Sequence, residues 1–172
     1  MKTAIVLVMH GVPPKDFPRR EISEMMGLHA RLENLHMPAA EREALAVRFQ
    51  ELDQKIRTWP RNEENDRFFA ASHELAGELA AASGSEVFLG FNEFCSPDVA
   101  QALEHAVASG AKRVAVITPM MTPGGEHSDV EIPEQIEDAR GIYPDVEFVY
   151  AWPYQMRDVA GFLAEQVRRA VG

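Results

Sequence analysis

Four short apolar runs, separated by stretches with helical periodicity, restrict the fold of this chain more than any other feature of its sequence. The first run, residues 3–9, reads TAIVLVM and is continuously apolar and β-branched, as a strand buried on both faces requires. Similar runs predict strands at residues 86–91, 113–118 and 146–151. Strands that alternate with helices indicate a parallel sheet covered by helices on both faces. The predicted fold is therefore α/β, with an open, mostly parallel four-stranded sheet.

The segments between the strands predict helices with different clarity. Residues 41–58 carry Leu45, Phe49, Leu52 and Ile56 on one helical face. Ser96 precedes a proline and an aspartate, which predicts a helix with Ser96 as its N-cap and an end near residue 109. Further helices are predicted at residues 62–82, 131–140 and 157–171. Because residues 15–40 lack a clear pattern, we predict a helical insertion over about 15–60 within one domain of residues 1–172.

Composition excludes several classes of function. The formal net charge is −10 without any run of lysine or arginine, which argues against nucleic-acid binding. The single cysteine, Cys95, cannot form an internal disulfide or a Cys-x-x-Cys metal site. The first apolar run is too short to span a membrane, so we expect a cytoplasmic protein without membrane contact. A phosphate-binding Gly-x-x-x-x-Gly-Lys motif is missing from the sequence, and no nucleotide cofactor is expected.

Polar side chains follow three of the predicted strands. His10 comes directly after the first strand, Glu93 follows the second, and His127 lies in the loop after the third. Ligands of open parallel sheets bind at the carboxyl ends of the strands, where these residues are expected. Neutral imidazole near pH 7 binds metal ions and accepts protons, and a carboxylate adds an oxygen ligand or a base. These three residues are therefore candidates for a site at this edge of the sheet. Position favours a functional role for His10, leaves the role of His127 open and does not favour one for Glu93.

Each of these residues also has a structural interpretation. His10 would then be satisfied by loop carbonyls, and His127 would belong to an ordinary glycine turn that leads into a helix. Gly124 and Gly125 have two possible roles: they could let a ligand approach the backbone closely, or they could adopt the positive φ angles of such a turn. Glu93 would be a solvated loop acid.

Several motifs, in order along the chain, resemble the small class II chelatases of the CbiX/SirB type. The resemblance covers residues 1–14 and about 66–172. The motifs are AIVLVMHG at 4–11, FNE at 91–93 with Pro97, GAKRVAVITP at 110–119, GGEHSDVEIP at 124–133 and YP at 143–144.

The resemblance implies a chelatase-like fold and an activity. Such lyases insert cobalt, iron or nickel into sirohydrochlorin-type tetrapyrroles during cobalamin or siroheme biosynthesis. It implies that His10 and His127 bind the incoming metal ion and help to remove pyrrole protons, with Glu93 as their acidic partner. The metal ion is then a substrate, and histidine suits Co²⁺, Fe²⁺ and Ni²⁺ alike.

The resemblance also implies that two copies of the chain pair into a homodimer, unless the insertion covers the site as a lid and removes that need. Tetrapyrroles of this type carry carboxylates, so we expect Lys15, Arg19 and Arg20 of the insertion to face the substrate. The chain departs from the family where Val12, Pro13 and Pro14 follow the first His-Gly pair. That departure and the insertion leave an alternative, a metal or tetrapyrrole carrier that has kept the fold without turnover.

Overall fold

Strands and helices alternate along the chain, as predicted. The computed structural model of the protein describes residues 1–32, 34 and 36–172. A single π-helical turn (His127–Glu131) leads into the fifth α-helix. The elements are β1 (Thr3–Met9), α1 (Arg19–Leu32), α2 (Ala39–Arg57), α3 (Arg67–Ser83), β2 (Glu86–Phe91), α4 (Val99–Ala108), β3 (Arg113–Ile117), α5 (Ile132–Ile142), β4 (Glu147–Tyr150) and α6 (Met156–Val171).

All four strands are parallel and lie in the order β2-β1-β3-β4. The central strand β1 pairs with two neighbours, so that Met9 is opposite Phe91 of β2 and Leu7 is opposite Ile117 of β3. The carboxyl ends of β1, β2 and β3 therefore meet at one edge of the sheet. The predicted four-stranded parallel architecture is confirmed.

Alternate residues of β1 pack against helices on opposite faces of the sheet, because successive side chains of a strand point to opposite sides. Val6 and Val8 belong to the core that includes residues of α4 and α5. Leu7 and Met9 belong to a second core, which α1, α2 and α3 cover. In that second core Leu52 and Ile56 are buried and Leu45 and Phe49 are partly buried, which confirms the predicted helical face. Burial of β1 on both faces, complete from Val6 to Met9, accounts for its uninterrupted apolar sequence.

Some predicted helix boundaries were wrong. The N-cap of α4 is Asp98 rather than Ser96, since the Asp98 carboxylate accepts the Gln101 amide and the Gln101 side chain accepts the Asp98 amide. Helical structure before α5 begins at His127 rather than at residue 131. The unclear segment contains α1, which pairs with α2. Residues 33 and 35 of the predicted insertion lie outside the described residues.

The loops after β1 and β2 run side by side beyond the strand ends. The Asn92 amide donates to the Met9 carbonyl at 3.0 Å, and the Glu93 amide donates to the His10 carbonyl at 2.9 Å. Gly11 permits this approach, because an added Cβ would lie 1.9 Å from the Glu93 carbonyl oxygen and the φ angle of Gly11 is +95°. His10 and Glu93 are thereby held next to each other.

Within the part of the chain that the structure describes, none of the helices combines the length and the apolar character that crossing a membrane requires.

Substitution of Gly11 by alanine is predicted to separate these two loops. The left-handed backbone alone costs a residue with a Cβ about 1–2 kcal/mol, and the contact with the Glu93 carbonyl adds to that cost. We expect Gly11→Ala to lower the free energy of unfolding in urea by about 2 kcal/mol or more. Gly77→Ala, in the exposed interior of α3 where nothing meets the new Cβ, is the control and should be neutral or stabilising. Equal stability of Gly11→Ala and wild type would contradict this account.

Candidate metal centre and active site

Three side chains that follow strands in the sequence converge at the edge of the sheet. The Nε2 atoms of His10 and His127 are 3.2 Å apart. The Oε2 atom of Glu93 lies 3.7 Å from His10 Nδ1 and 3.9 Å from His127 Nε2. One ligand atom from each residue lies within 4.8 Å of the other two, which is close enough for a single metal ion. The structure thus brings together the three residues predicted from the sequence.

The hydrogen bonds of the two imidazoles decide which nitrogens face the centre. His10 Nδ1 lies 2.7 Å from the Gly11 carbonyl oxygen, which only accepts. His127 Nδ1 lies 2.6 Å from Glu131 Oε2, which as a carboxylate also only accepts. We assign the proton to Nδ1 in both neutral rings from these partners. With these tautomers both unprotonated Nε2 atoms lie 3.2 Å apart, where one metal ion could accept both lone pairs.

Glu131 is a site residue that the sequence analysis missed. From the sequence, an acid at the start of a predicted helix is most simply a helix cap, but the Glu131 carboxylate accepts from His127. Both residues belong to the π-helical turn, and such turns are frequent at functional sites. An acid four residues after a histidine in a helical segment was the available signal, because residues at that spacing are neighbours on a helix. A carboxylate behind a ligating histidine fixes its tautomer and orientation.

The loop that carries His127 is held by its own polar groups. Asp129 accepts from the Gly124 amide at 2.9 Å and from the Ser128 hydroxyl at 2.9 Å. These two donors keep the pKa of the Asp129 carboxyl below its usual range. The Tyr150 hydroxyl, at the end of β4, donates to the Ser128 carbonyl at 2.9 Å. The π-helical turn is therefore tied to the sheet as well as to the loop before it.

A cavity of about 280 Å³ lies next to the cluster of His10, Glu93 and His127. Its walls come from α1, α2, the loop after β2 and the π-helical turn. Met25, Met26 and Phe49 give it an apolar side, while Glu93 and Glu131 connect it to the two histidines. The helices of the predicted insertion thus form one wall of a cleft beside the cluster.

The predicted basic residues and glycines lie elsewhere. Among the described residues that line this cavity, neither Lys15, Arg19 nor Arg20 occurs. Arg20 lines a separate surface groove with Glu24 and Arg48, and Lys15 approaches the Glu64 carbonyl at 3.4 Å. Gly124 and Gly125 are exposed in the loop before His127, where the φ angle of Gly124 is +100°. The substrate contacts of Arg19, Arg20, Gly124 and Gly125 stay predictions.

The cluster has the chemistry of an open metal site. Two imidazole nitrogens and one carboxylate oxygen suit divalent transition metals and leave coordination positions free, unlike a closed site with four protein ligands. The side chains of His10 and Glu93 are 47% and 36% exposed, so the free positions can be reached from solvent. Such a site can bind a metal ion and release it to another ligand.

Removal of the carboxylate behind His127 is predicted to weaken this metal site. Glu131→Gln lacks the charge that orients the imidazole and raises its basicity, so we expect the Kd for Co²⁺ to rise about tenfold. Titration of the protein followed by Co²⁺ absorption measures the change. Glu134→Gln, exposed on α5, is the matched control and should bind Co²⁺ as wild type does. A wild-type Kd for Glu131→Gln would exclude the assigned role.

Comparison with known proteins finds a family model and curated relatives that match parts of this chain. The model of the CbiX family matches residues 60–170. A sirohydrochlorin cobaltochelatase of Priestia megaterium is 43% identical over 70 residues, 41% of this chain and 22% of that protein. A sirohydrochlorin ferrochelatase of the same organism is 31% identical over 78 residues, 45% of this chain and 29% of that protein. The aligned segments thus span less than a third of the length of these two curated relatives.

A solved structure supports the fold alone. A cobalamin (vitamin B12) biosynthesis CbiX protein from Marinobacter aquaeolei VT8 superposes with a TM-score of 0.52 and 14% identity, over 97% of this chain and 98% of that one. The family match covers well over half of the 172 residues and includes Glu93, His127 and Glu131. The chain belongs to the CbiX family.

Proposed function

We propose that this protein is a chelatase that inserts a divalent metal ion, cobalt, iron or nickel, into a sirohydrochlorin-type tetrapyrrole. The observation that carries the proposal is the open cluster of His10, Glu93 and His127 at an exposed sheet edge. The two Priestia megaterium relatives, one a cobaltochelatase and one a ferrochelatase, support cobalt and iron as the first metals to test. Both the metal ion and the tetrapyrrole are substrates in this reaction.

The proposed reaction exchanges one metal ion for two protons. The metal ion leaves the two Nε2 atoms and the Glu93 carboxylate and becomes bound to four macrocycle nitrogens. Two of these nitrogens lose their protons, which the vacated imidazoles and carboxylate can accept. A doubly charged ion is replaced by two single charges, so the net charge of the cluster is the same before and after. That balance avoids an uncompensated charge next to the macrocycle.

The cavity beside the cluster is the proposed position for an edge of the tetrapyrrole. Its side formed by Met25, Met26 and Phe49 offers apolar surface to a flat macrocycle, and Glu93 connects it to the metal ion. The cavity is too small for a whole tetrapyrrole, so most of the ring would lie over His10 and His127. Contacts of substrate carboxylates with Lys15, Arg19 and Arg20 remain part of the proposal without support from the cavity lining.

Two further features of the proposal concern assembly and the alternative function. Pairing of two copies could bury the apolar surface of α6, where Phe162, Leu163 and Val167 are at least half exposed.

A carrier without turnover would use the same cluster and cavity. It would bind the metal ion or the tetrapyrrole without inserting the metal ion into the macrocycle. With either function, we predict that the protein is cytoplasmic.

Replacement of His10 is predicted to abolish metal insertion. His10→Ala removes one metal ligand and one proton acceptor, and we expect the rate to fall at least about a hundredfold. The visible spectrum of sirohydrochlorin with Co²⁺ or Fe²⁺ follows the reaction. The control is His105→Ala, on the exposed side of α4.

The same assay separates the two candidate functions. A wild-type protein that gives no acceleration with Co²⁺, Fe²⁺ or Ni²⁺ is not a chelatase for this substrate. Tight binding of sirohydrochlorin in that case would favour the carrier.

Filling the cavity mouth is predicted to weaken binding of the tetrapyrrole and to leave binding of the metal ion unchanged. Met26→Trp places a large ring at a half-exposed position of the lining, so we expect KM for sirohydrochlorin to rise several-fold with Kd for Co²⁺ unchanged. Val47→Trp, at an exposed position of α2, is the matched control. An unchanged KM for Met26→Trp would place the substrate elsewhere.

A further inference from the structure

Two arginines near the end of α2 donate hydrogen bonds to backbone carbonyls of the site loops. Arg57 Nη1 donates to the Cys95 carbonyl at 2.7 Å, and Arg57 Nη2 donates to the Asn92 carbonyl at 2.9 Å. Arg61 donates to the Phe94 carbonyl, and at 3.1 Å to the Val12 carbonyl. The residues on both sides of Glu93 are therefore held by guanidinium groups, and so is the loop that follows His10.

Both guanidinium groups are largely removed from solvent. The side chains of Arg57 and Arg61 are 15% and 4% exposed. Arg57 forms an ion pair with Asp53 at 2.7 Å, and Arg61 pairs with the buried Asp66. A guanidinium offers several donors in a rigid plane, so one arginine can hold two diverging carbonyls, which a lysine cannot do in the same geometry. Buried charges without such partners would be costly.

The loop that carries Glu93 needs an external restraint. Phe94 has a φ angle of +58°, a left-handed conformation that is unfavourable for a residue with a side chain. The Cys95 amide turns back to the Glu93 carbonyl at 2.6 Å, so the chain reverses directly after Glu93. The Glu93 carboxylate is 3.7 Å or more from the ring nitrogens of both histidines, which is too far for a hydrogen bond to either ring. The direction of the Glu93 side chain therefore depends on this turn.

We infer that Arg57, supported by Arg61, is a positioning residue that keeps the Glu93 carboxylate within reach of the metal ion. This inference rests on the proposed function, because it assumes that His10, Glu93 and His127 bind one ion. His10 is held mainly by the pairing of β1 with its two neighbours, and His127 by the π-helical turn and Glu131. Loss of Arg57 should therefore affect the contribution of Glu93 and leave the two imidazoles in place.

The test compares Arg57→Met with Glu93→Gln and with the double variant. We expect Arg57→Met to raise the Kd for Co²⁺ about tenfold and to change the Co²⁺ absorption spectrum towards that of Glu93→Gln. In the Glu93→Gln background the same substitution should have no further effect, because the two changes remove one interaction. Arg57→Lys, which keeps the charge, should show much of the same defect. Arg48→Met, whose arginine pairs with Glu24 and Glu51 at the surface of α2, is the matched control.

Amide hydrogen exchange provides a readout that does not need the metal ion. Arg57→Met should speed exchange of the Glu93 and Cys95 amides and leave exchange in the β1 interior unchanged. Unchanged exchange at these amides, or a Kd loss of equal size in the Glu93→Gln background, would overturn the positioning role. Failure of wild-type protein to bind Co²⁺ would instead overturn the proposed function, and the exchange result would still decide whether Arg57 holds the loop.

Discussion

The parallel pairing of β1 with both β2 and β3 is the constraint on which the rest of this structure depends. Parallel strands end at the same edge of a sheet, so the residues that follow three strands meet there regardless of their separation along the chain. His10 and His127 are 117 residues apart, and yet their Nε2 atoms face each other at 3.2 Å. Burial of β1 on both faces fixes the position of this strand and therefore of His10, which follows it directly.

Strand pairing brings His10, Glu93 and His127 to one edge of the sheet, and polar contacts from other elements orient them. Glu131 holds the ring of His127 through Nδ1, and the Gly11 carbonyl does the same for His10. Arg57 and Arg61 hold the backbone around Glu93. Each of these contacts gives a polar group a hydrogen-bond partner and restrains a part of the cluster at the same time.

The acidic character of the protein agrees with a cation site more readily than with an anionic substrate. Glu93 and Glu131 place two carboxylates within contact distance of the histidines, and they also line the adjoining cavity. Such a surface attracts divalent metal ions. A tetrapyrrole with several carboxylates would have to direct them away from these acids. The apolar residues Met25, Met26 and Phe49 instead suit the uncharged faces of the macrocycle.

The sequence by itself determined the strands and their parallel arrangement, because buried strands have uninterrupted apolar sequences. It singled out His10 and His127, and Glu93 through the family resemblance, as candidate site residues, because parallel sheets bind ligands at one edge. It also allowed the helical face of α2 to be recognised. Only the tertiary structure decided which groups Glu131, Arg57 and Arg61 contact, since a carboxylate or guanidinium looks the same in sequence whether it faces solvent or a neighbouring loop. The side-chain pairing of His127 with Glu131 depends on a π-helical turn, and the contacts of Arg57 join residues that are 35 and 38 positions apart. Geometry of that kind arises from packing between elements, which local sequence pattern does not encode.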